Sequence, residues 1–176
     1  MNKTEFNSTD LYPDIARDDP LLAKLPHKGI PLIIVSTTYH RRIICSMISS
    51  FLETFKSNNK FKSNNKLDKF AVIEIPGAFE LPLIIKIVLE TYTPKQILAL
   101  GCIIKGETNH DEYLSSTVIN GLRNLSLEYK TPIINGVLTT NTLTQSVDRA
   151  GKKYNKGKDF AETYFSMSTI IDKLKK

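Results

Sequence analysis

His110 stands in Lys105-Gly106-Glu107-Thr108-Asn109-His110, directly after an apolar run from Ile97 to Ile104. An imidazole in water titrates near ~6.5, so a histidine can accept and donate protons close to neutral pH. Taken singly, a histidine at a loop–helix junction is equally at home as a cap or a surface residue. Thr108 adds a hydroxyl, and the amides after Gly106 lie where a helix begins, a place that favours anions such as phosphate. Arg149 could supply a charged two-pronged fork, or it could simply face the C-terminal dipole of its own helix. Lys156 is another cation, and equally a surface lysine. Tyr39 and the Ala78-Phe79-Glu80 triplet sit at two further points where an apolar run hands over to a helical pattern. Alone, Tyr39 reads as a partly buried loop aromatic, Phe79 as core, and Glu80 as a carboxylate suited to a helix N-terminus. The three histidines, at positions 27, 40 and 110, form no close pair, so no metal site is expected.

The elements that must position these groups follow from periodicity. Pro31 to Val35, Phe70 to Ile75, Ile97 to Ile104 and Ile133 to Leu138 are short apolar runs and predict four strands. Continuously apolar runs are the mark of parallel strands buried on both faces. Between them, apolar residues recur at helical spacing. Ile44, Met47, Ile48, Phe51, Leu52 and Phe55 form one such face, Leu81, Ile84, Ile85, Val88 and Leu89 a second, and Leu114, Val118, Leu122 and Leu125 a third. Pro76-Gly77 predicts a turn in which the glycine frees the backbone, and Pro82 suits a first helical turn. Thr139, Thr140 and Asn141 offer caps for a short helix ending near Ala150-Gly151. A last helix runs through Phe160, Tyr164, Met167 and Ile171 to a lysine-rich end. Four strands, each followed by a helix, predict an α/β protein: a three-layer α/β/α sandwich around a four-stranded parallel sheet. Ligands bind such sheets at the carboxyl ends of the strands, which is where every candidate turn lies.

The 176 residues suit one domain, expected over 30–176. Residues 1–29 are polar and broken by Pro13, Pro20 and Pro26, which predicts an extended N-terminal arm. Residues 55 to 66 hold two identical copies of Phe-Lys-Ser-Asn-Asn-Lys, read as an exposed loop without chemistry. The net charge of +6 is spread thinly, with lysines gathered between Lys56 and Lys69 and at the C-terminal end. A solvated basic face accounts for it, and no nucleic-acid partner is expected. Cys45 and Cys102 lie in apolar runs without metal-ligand spacing, so buried thiols in a reducing cytoplasm are expected. The first residues carry no apolar segment of the signal-peptide kind. No run is long enough to span a membrane, so no membrane association is expected.

Several strings in order resemble one family. They are Ile75-Pro76-Gly77-Ala78-Phe79-Glu80-Leu81-Pro82, Gly101 through His110, Pro132 through Thr140, Gln145 through Gly151, and Asn155-Lys156-Gly157. Together they resemble the 6,7-dimethyl-8-ribityllumazine synthases over roughly residues 30 to 172. The resemblance implies a flavodoxin-like form and the penultimate reaction of riboflavin synthesis. In that reaction 5-amino-6-(D-ribitylamino)uracil and 3,4-dihydroxy-2-butanone 4-phosphate join, a lumazine ring closes, and phosphate and water leave. It implies that His110 is catalytic. It implies that Tyr39, Ala78, Phe79, Glu80, Cys102, Ile103, Ile104 and Asn135 bind the pyrimidinedione, with His40 a secondary contact. Glu107 (through its backbone), Thr108, Arg149 and Lys156 would bind the phosphate. No cofactor is implied. A homo-oligomer is, as a pentamer or a multiple of it, with sites completed by a neighbour and riboflavin synthase as a candidate partner.

Three features depart from the family pattern. Asp111 replaces the aromatic residue that usually follows the catalytic histidine. Asn135 stands where many members carry Phe. The stretch from Arg149 to Lys156 is about one residue short. The alternative function is a weakly active or inactive shell or scaffold protein of the same fold.

Overall fold

The structure, a computed structural model, describes residues 30–58 and 70–175. The expected arm (1–29) and most of the repeat segment lie outside these. Four strands form one parallel sheet: β1 (Leu32–Thr37), β2 (Phe70–Ile75), β3 (Gln96–Ile104) and β4 (Ile133–Thr140). Among the described residues five helices accompany them: α1 (Arg41–Ser57), α2 (Leu81–Thr91), α3 (His110–Tyr129), α4 (Leu143–Ala150) and α5 (Lys156–Leu174). A single 3₁₀ turn, Ala78–Glu80, precedes α2.

The strand order is β2-β1-β3-β4, the opening of the 2-1-3-4-5 order of flavodoxin-like sheets. Parallel crossovers are nearly always right-handed. Stepping from β1 out to β2, and then back across to β3 and β4, therefore puts the connecting helices on opposite faces. The two cores show this division. Ile33, Val35, Ala99 and Val137 pack under α2 and α3, while Leu32, Ile34, Leu98 and Leu138 pack under α1, α4 and α5. The expected three-layer α/β/α sandwich is the observed fold.

β1 and β4 each run two residues beyond their apolar stretch. Thr37 pairs with Ile75, and Thr139 and Thr140 pair with Ile103 and Ile104. Neighbouring strands supply backbone partners there whatever the side chain's polarity. The cap of α4 is Thr142, whose hydroxyl accepts from the Gln145 amide at 3.2 Å, rather than Thr139, Thr140 or Asn141. α5 starts at Lys156, four residues before the apolar periodicity, because the Asn155 side chain accepts from the Lys158 amide. It begins with Gly157 pressed against α1. A Cβ at Gly157 would collide with the Met47 carbonyl and lie 2.9 Å from Ser50 Cβ.

The first repeat copy corrects the loop reading. Phe55 through Ser57 belong to α1, and Phe55 is buried. Its ring lies 5.6 Å from Phe51, 5.1 Å from Tyr164 and 5.5 Å from Phe165. The helical face read as far as Phe55 runs on to Ser57, two residues into the Ser/Asn/Lys composition that reads as loop. Because the copies are identical, deleting six residues still leaves a phenylalanine at position 55. That deletion is expected to shift the thermal midpoint little, since loop closure changes by only about 0.6 kcal/mol per halving of length. A melting curve of the shortened chain checks it, and loss of the folded state would show that the second copy packs.

Candidate active site

Four strand-to-helix turns meet at the carboxyl edge of the sheet. The connection after β1 leads out to β2 and the one after β3 leads the other way to β4, so the crevice between the ends of β1 and β3 is the switch point. Tyr39 follows one of these strands and His110 the other.

At the end of β1, the Thr38 amide donates to the Ile75 carbonyl at 2.8 Å, and the Thr38 hydroxyl donates to the Pro76 carbonyl at 3.3 Å. These bonds tie the first turn to the second. His40 then caps α1 in the left-handed region, at φ 55° and ψ 39°. His is among the few residues besides glycine that tolerate this conformation. The bend leaves Tyr39 67% exposed, its ring edge-on to the His40 imidazole at 4.5 Å. The partly buried reading of Tyr39 is therefore replaced by an open aromatic face.

At the end of β2, Ala78 is buried in the core under α2 and α3, and Phe79 is 65% exposed. Phe79 is thus not core. Burying such a ring typically gains about 1.5–3 kcal/mol, and the fold forgoes that gain twice at one edge. Gly77 is extended, with φ at −144°, so turn freedom is not its role. A Cβ there would lie 2.9 Å from Glu80 Oε2, the movable end of that side chain.

Residues 105–110 after β3 are all exposed. The Lys105 amide donates to the Thr140 carbonyl at 2.8 Å, holding the root of the loop to β4. The Gly106 amide faces the Asp111 carboxylate at 3.4 Å. The Thr108 hydroxyl accepts from the His110 amide at 3.4 Å, which leaves its own proton for an anion. His110 is the first residue of α3, and Asn109 caps it without a side-chain bond. Asp111 and Glu112 in the first turn suit the positive end of the dipole. Glu107 is exposed beside the loop amides.

Cys102 and Ile103 bury their side chains in the two opposite cores, and Ile104 is half-buried. What the first two can offer a ligand is backbone. Burial pushes the Cys102 thiol up, and its hydrogen bond to Ser146 at 3.4 Å only partly opposes this. It stays protonated near neutral pH, which makes it a poor nucleophile. Ser146 also meets the Thr140 hydroxyl at 2.6 Å.

Asn135 and Lys156 stand elsewhere. Asn135 lies in β4 opposite Ala99, five residues before the strand ends. At ~3.3 Å per residue it is roughly 17 Å from the carboxyl edge. Its side-chain oxygen accepts from the Val137 amide at 3.1 Å. With Lys156, Ile133, Phe160 and Met167 it lines an open groove of about 540 Å³. Lys156 Nζ pairs with Asp159 at 2.8 Å, both side chains being more than 40% exposed. Such pairs typically contribute about 0–1 kcal/mol, so an incoming anion can take the lysine over. Arg149 sits in the last turn of α4 and donates to the Gln145 carbonyl at 3.2 Å. It thus serves the helix end, while Tyr154 flanks its guanidinium at 5.8 Å.

The structure therefore gathers Tyr39, Ala78, Phe79, Glu80, Glu107, Thr108 and His110 along one sheet edge. It places Asn135 and Lys156 in a separate groove of the same chain. Tyr154 beside Arg149 escaped the sequence reading, and Asp111, noted there as a departure, turns out to fold its carboxylate onto Gly106. For Tyr154 a signal existed, an aromatic in Lys152-Lys153-Tyr154 five residues after the arginine. Among the described residues, no three of His, Cys, Asp and Glu come together as a metal site. No described helix is long and apolar enough to cross a membrane.

Comparison with protein-family models matches 6,7-dimethyl-8-ribityllumazine synthase over residues 29–172. The match takes in every strand, every turn of the sheet edge and the groove beside β4. With that length matched, and with the flavodoxin-like sheet that carries it, the chain belongs to the 6,7-dimethyl-8-ribityllumazine synthase family.

Proposed function

We propose that this protein condenses 5-amino-6-(D-ribitylamino)uracil with 3,4-dihydroxy-2-butanone 4-phosphate in riboflavin biosynthesis. The products are 6,7-dimethyl-8-ribityllumazine, phosphate and water. Tyr39 and Phe79 enclose the flat pyrimidinedione, with Ala78, Glu80 and the backbone of Cys102 to Ile104 around it. Thr108 and the amides after Gly106 hold the phosphate. His110 moves protons as the amine adds to the ketone and as water and phosphate leave. One observation carries this reading: two aromatic rings stand outside the core, at the edge where an imidazole and an open amide loop also lie.

The site is completed by a second copy of the chain. Asn135, roughly 17 Å from the edge of its own sheet, cannot reach the ring that Tyr39 holds. A neighbour's groove brings Asn135 and Lys156 to it, and the neighbour's Arg149 joins the phosphate grip. Head-to-tail sharing of this kind closes into a ring, here a pentamer or a multiple of one. Mixing both substrates with the purified protein is expected to produce lumazine absorbance and fluorescence. No product at substrate concentrations that saturate relatives would leave the scaffold alternative in its place.

A further inference from the structure

The loop from Gly151 to Asn155 closes back on α4. The Gly151 amide donates to Val147 at 2.9 Å, the Tyr154 amide to the Asp148 carbonyl at 3.2 Å, and the Asn155 amide to the Gly151 carbonyl at 2.8 Å. Asn155 is further held by the Ser50 hydroxyl on α1. Tyr154 is therefore fixed by backbone, although its side chain is half exposed. Two cations lie over its ring: the Arg149 guanidinium at 5.8 Å and the Lys153 ammonium at 5.4 Å. Asp148 pairs with Lys153 at 2.6 Å, which relieves the repulsion between two like charges at one ring.

Arg149 is thus held in two ways. Gln145 accepts from Nη1, and the ring attracts the guanidinium face within the ~6 Å range of cation–π contact. A long side chain that orders itself only when an anion arrives loses rotamer entropy at that moment. One that is already ordered does not. We propose that Tyr154 is a positioning residue for Arg149, keeping the guanidinium ordered so that the phosphate substrate meets prepared N–H donors. This rests on Arg149 being a phosphate ligand, as proposed above. Of the two cations at the ring only Arg149 is proposed as a phosphate ligand, so the inference predicts an effect on one substrate and none on the other.

Four chains test it: Tyr154→Phe, Tyr154→Leu, Arg149→Ala, and the Arg149→Ala/Tyr154→Leu double variant. Tyr154→Leu is expected to raise KM for the phosphate substrate about two- to five-fold, the usual size of an exposed cation–π contact. KM for the pyrimidine substrate and kcat should stay unchanged. Tyr154→Phe keeps the π face and should restore the wild-type KM. In the Arg149→Ala background the Leu substitution should add nothing, which separates positioning from a direct or merely structural role. Calorimetric titration with inorganic phosphate should rank the four chains in the same order without turnover. A Tyr154→Leu chain with wild-type phosphate KM, or one whose effect persists without Arg149, overturns the inference. An Arg149→Ala chain with unchanged phosphate KM overturns the phosphate-site reading itself, and this inference with it.

Discussion

Replacing His110 by alanine is expected to lower kcat about 10²–10⁴-fold while KM for each substrate changes little. The imidazole starts α3 with its side chain in the open, next to the Thr108 loop and across the crevice from Tyr39. A group so placed contributes little to packing, so its loss should leave the melting temperature near that of wild type. In the proposed reaction it acts in proton transfers, which belong to the transition states, so its loss should fall on turnover. Steady-state kinetics in each substrate, with a melting curve beside them, separate the two effects. Unchanged kcat would remove His110 from the mechanism. A kcat loss matched by a large loss of stability would make it a structural residue instead.

Replacing Arg149 by alanine is expected to raise KM for the phosphate substrate about ten- to hundred-fold, since hydrogen bonds to charged groups are worth about 1.5–3 kcal/mol. The pyrimidine substrate should be affected little. The same variant tests the shared site. His110→Ala and Arg149→Ala chains mixed in equal amounts, under conditions that let subunits exchange, should form some interfaces with both wild-type halves. Independent assortment around a head-to-tail ring makes that about a quarter of the sites. Activity at low phosphate substrate should rise to about that fraction of wild type. Sedimentation should show at least five chains per particle. No rescue despite demonstrated exchange would place His110 and Arg149 within one chain's site.

Much of the fold was legible because the strands of this sheet are buried on both faces. Ile97 to Ile104 reads as continuous apolar sequence, and it forms β3 with almost every residue buried. The helical faces of α1, α2 and α3 were legible for the complementary reason, as each covers one side of that sheet and repeats accordingly. Ends were less legible. β1 and β4 stop where their neighbours stop offering backbone partners, at Thr37 and Thr140, and no property of those threonines announces it. Lys56 and Ser57 were hidden because the helix runs on past Phe55 into a segment whose composition is that of a loop.

By itself the sequence determined the order of strands and helices, the position of Tyr39, Ala78, Phe79, Glu80, Glu107, Thr108 and His110 at strand-to-helix turns, and the strings shared with one family. These depend on neighbours within a few residues, or on apolar spacing. The tertiary structure alone decided which aromatics face water. Tyr39 and Phe79 have the composition of core residues. They lie outside because a left-handed His40 and a 3₁₀ turn aim them off the sheet edge. It also decided that Asn135 and Lys156 share a groove away from that edge. A strand's side chains have a fixed direction, but the distance from mid-strand to strand end acquires meaning only when the sheet has formed.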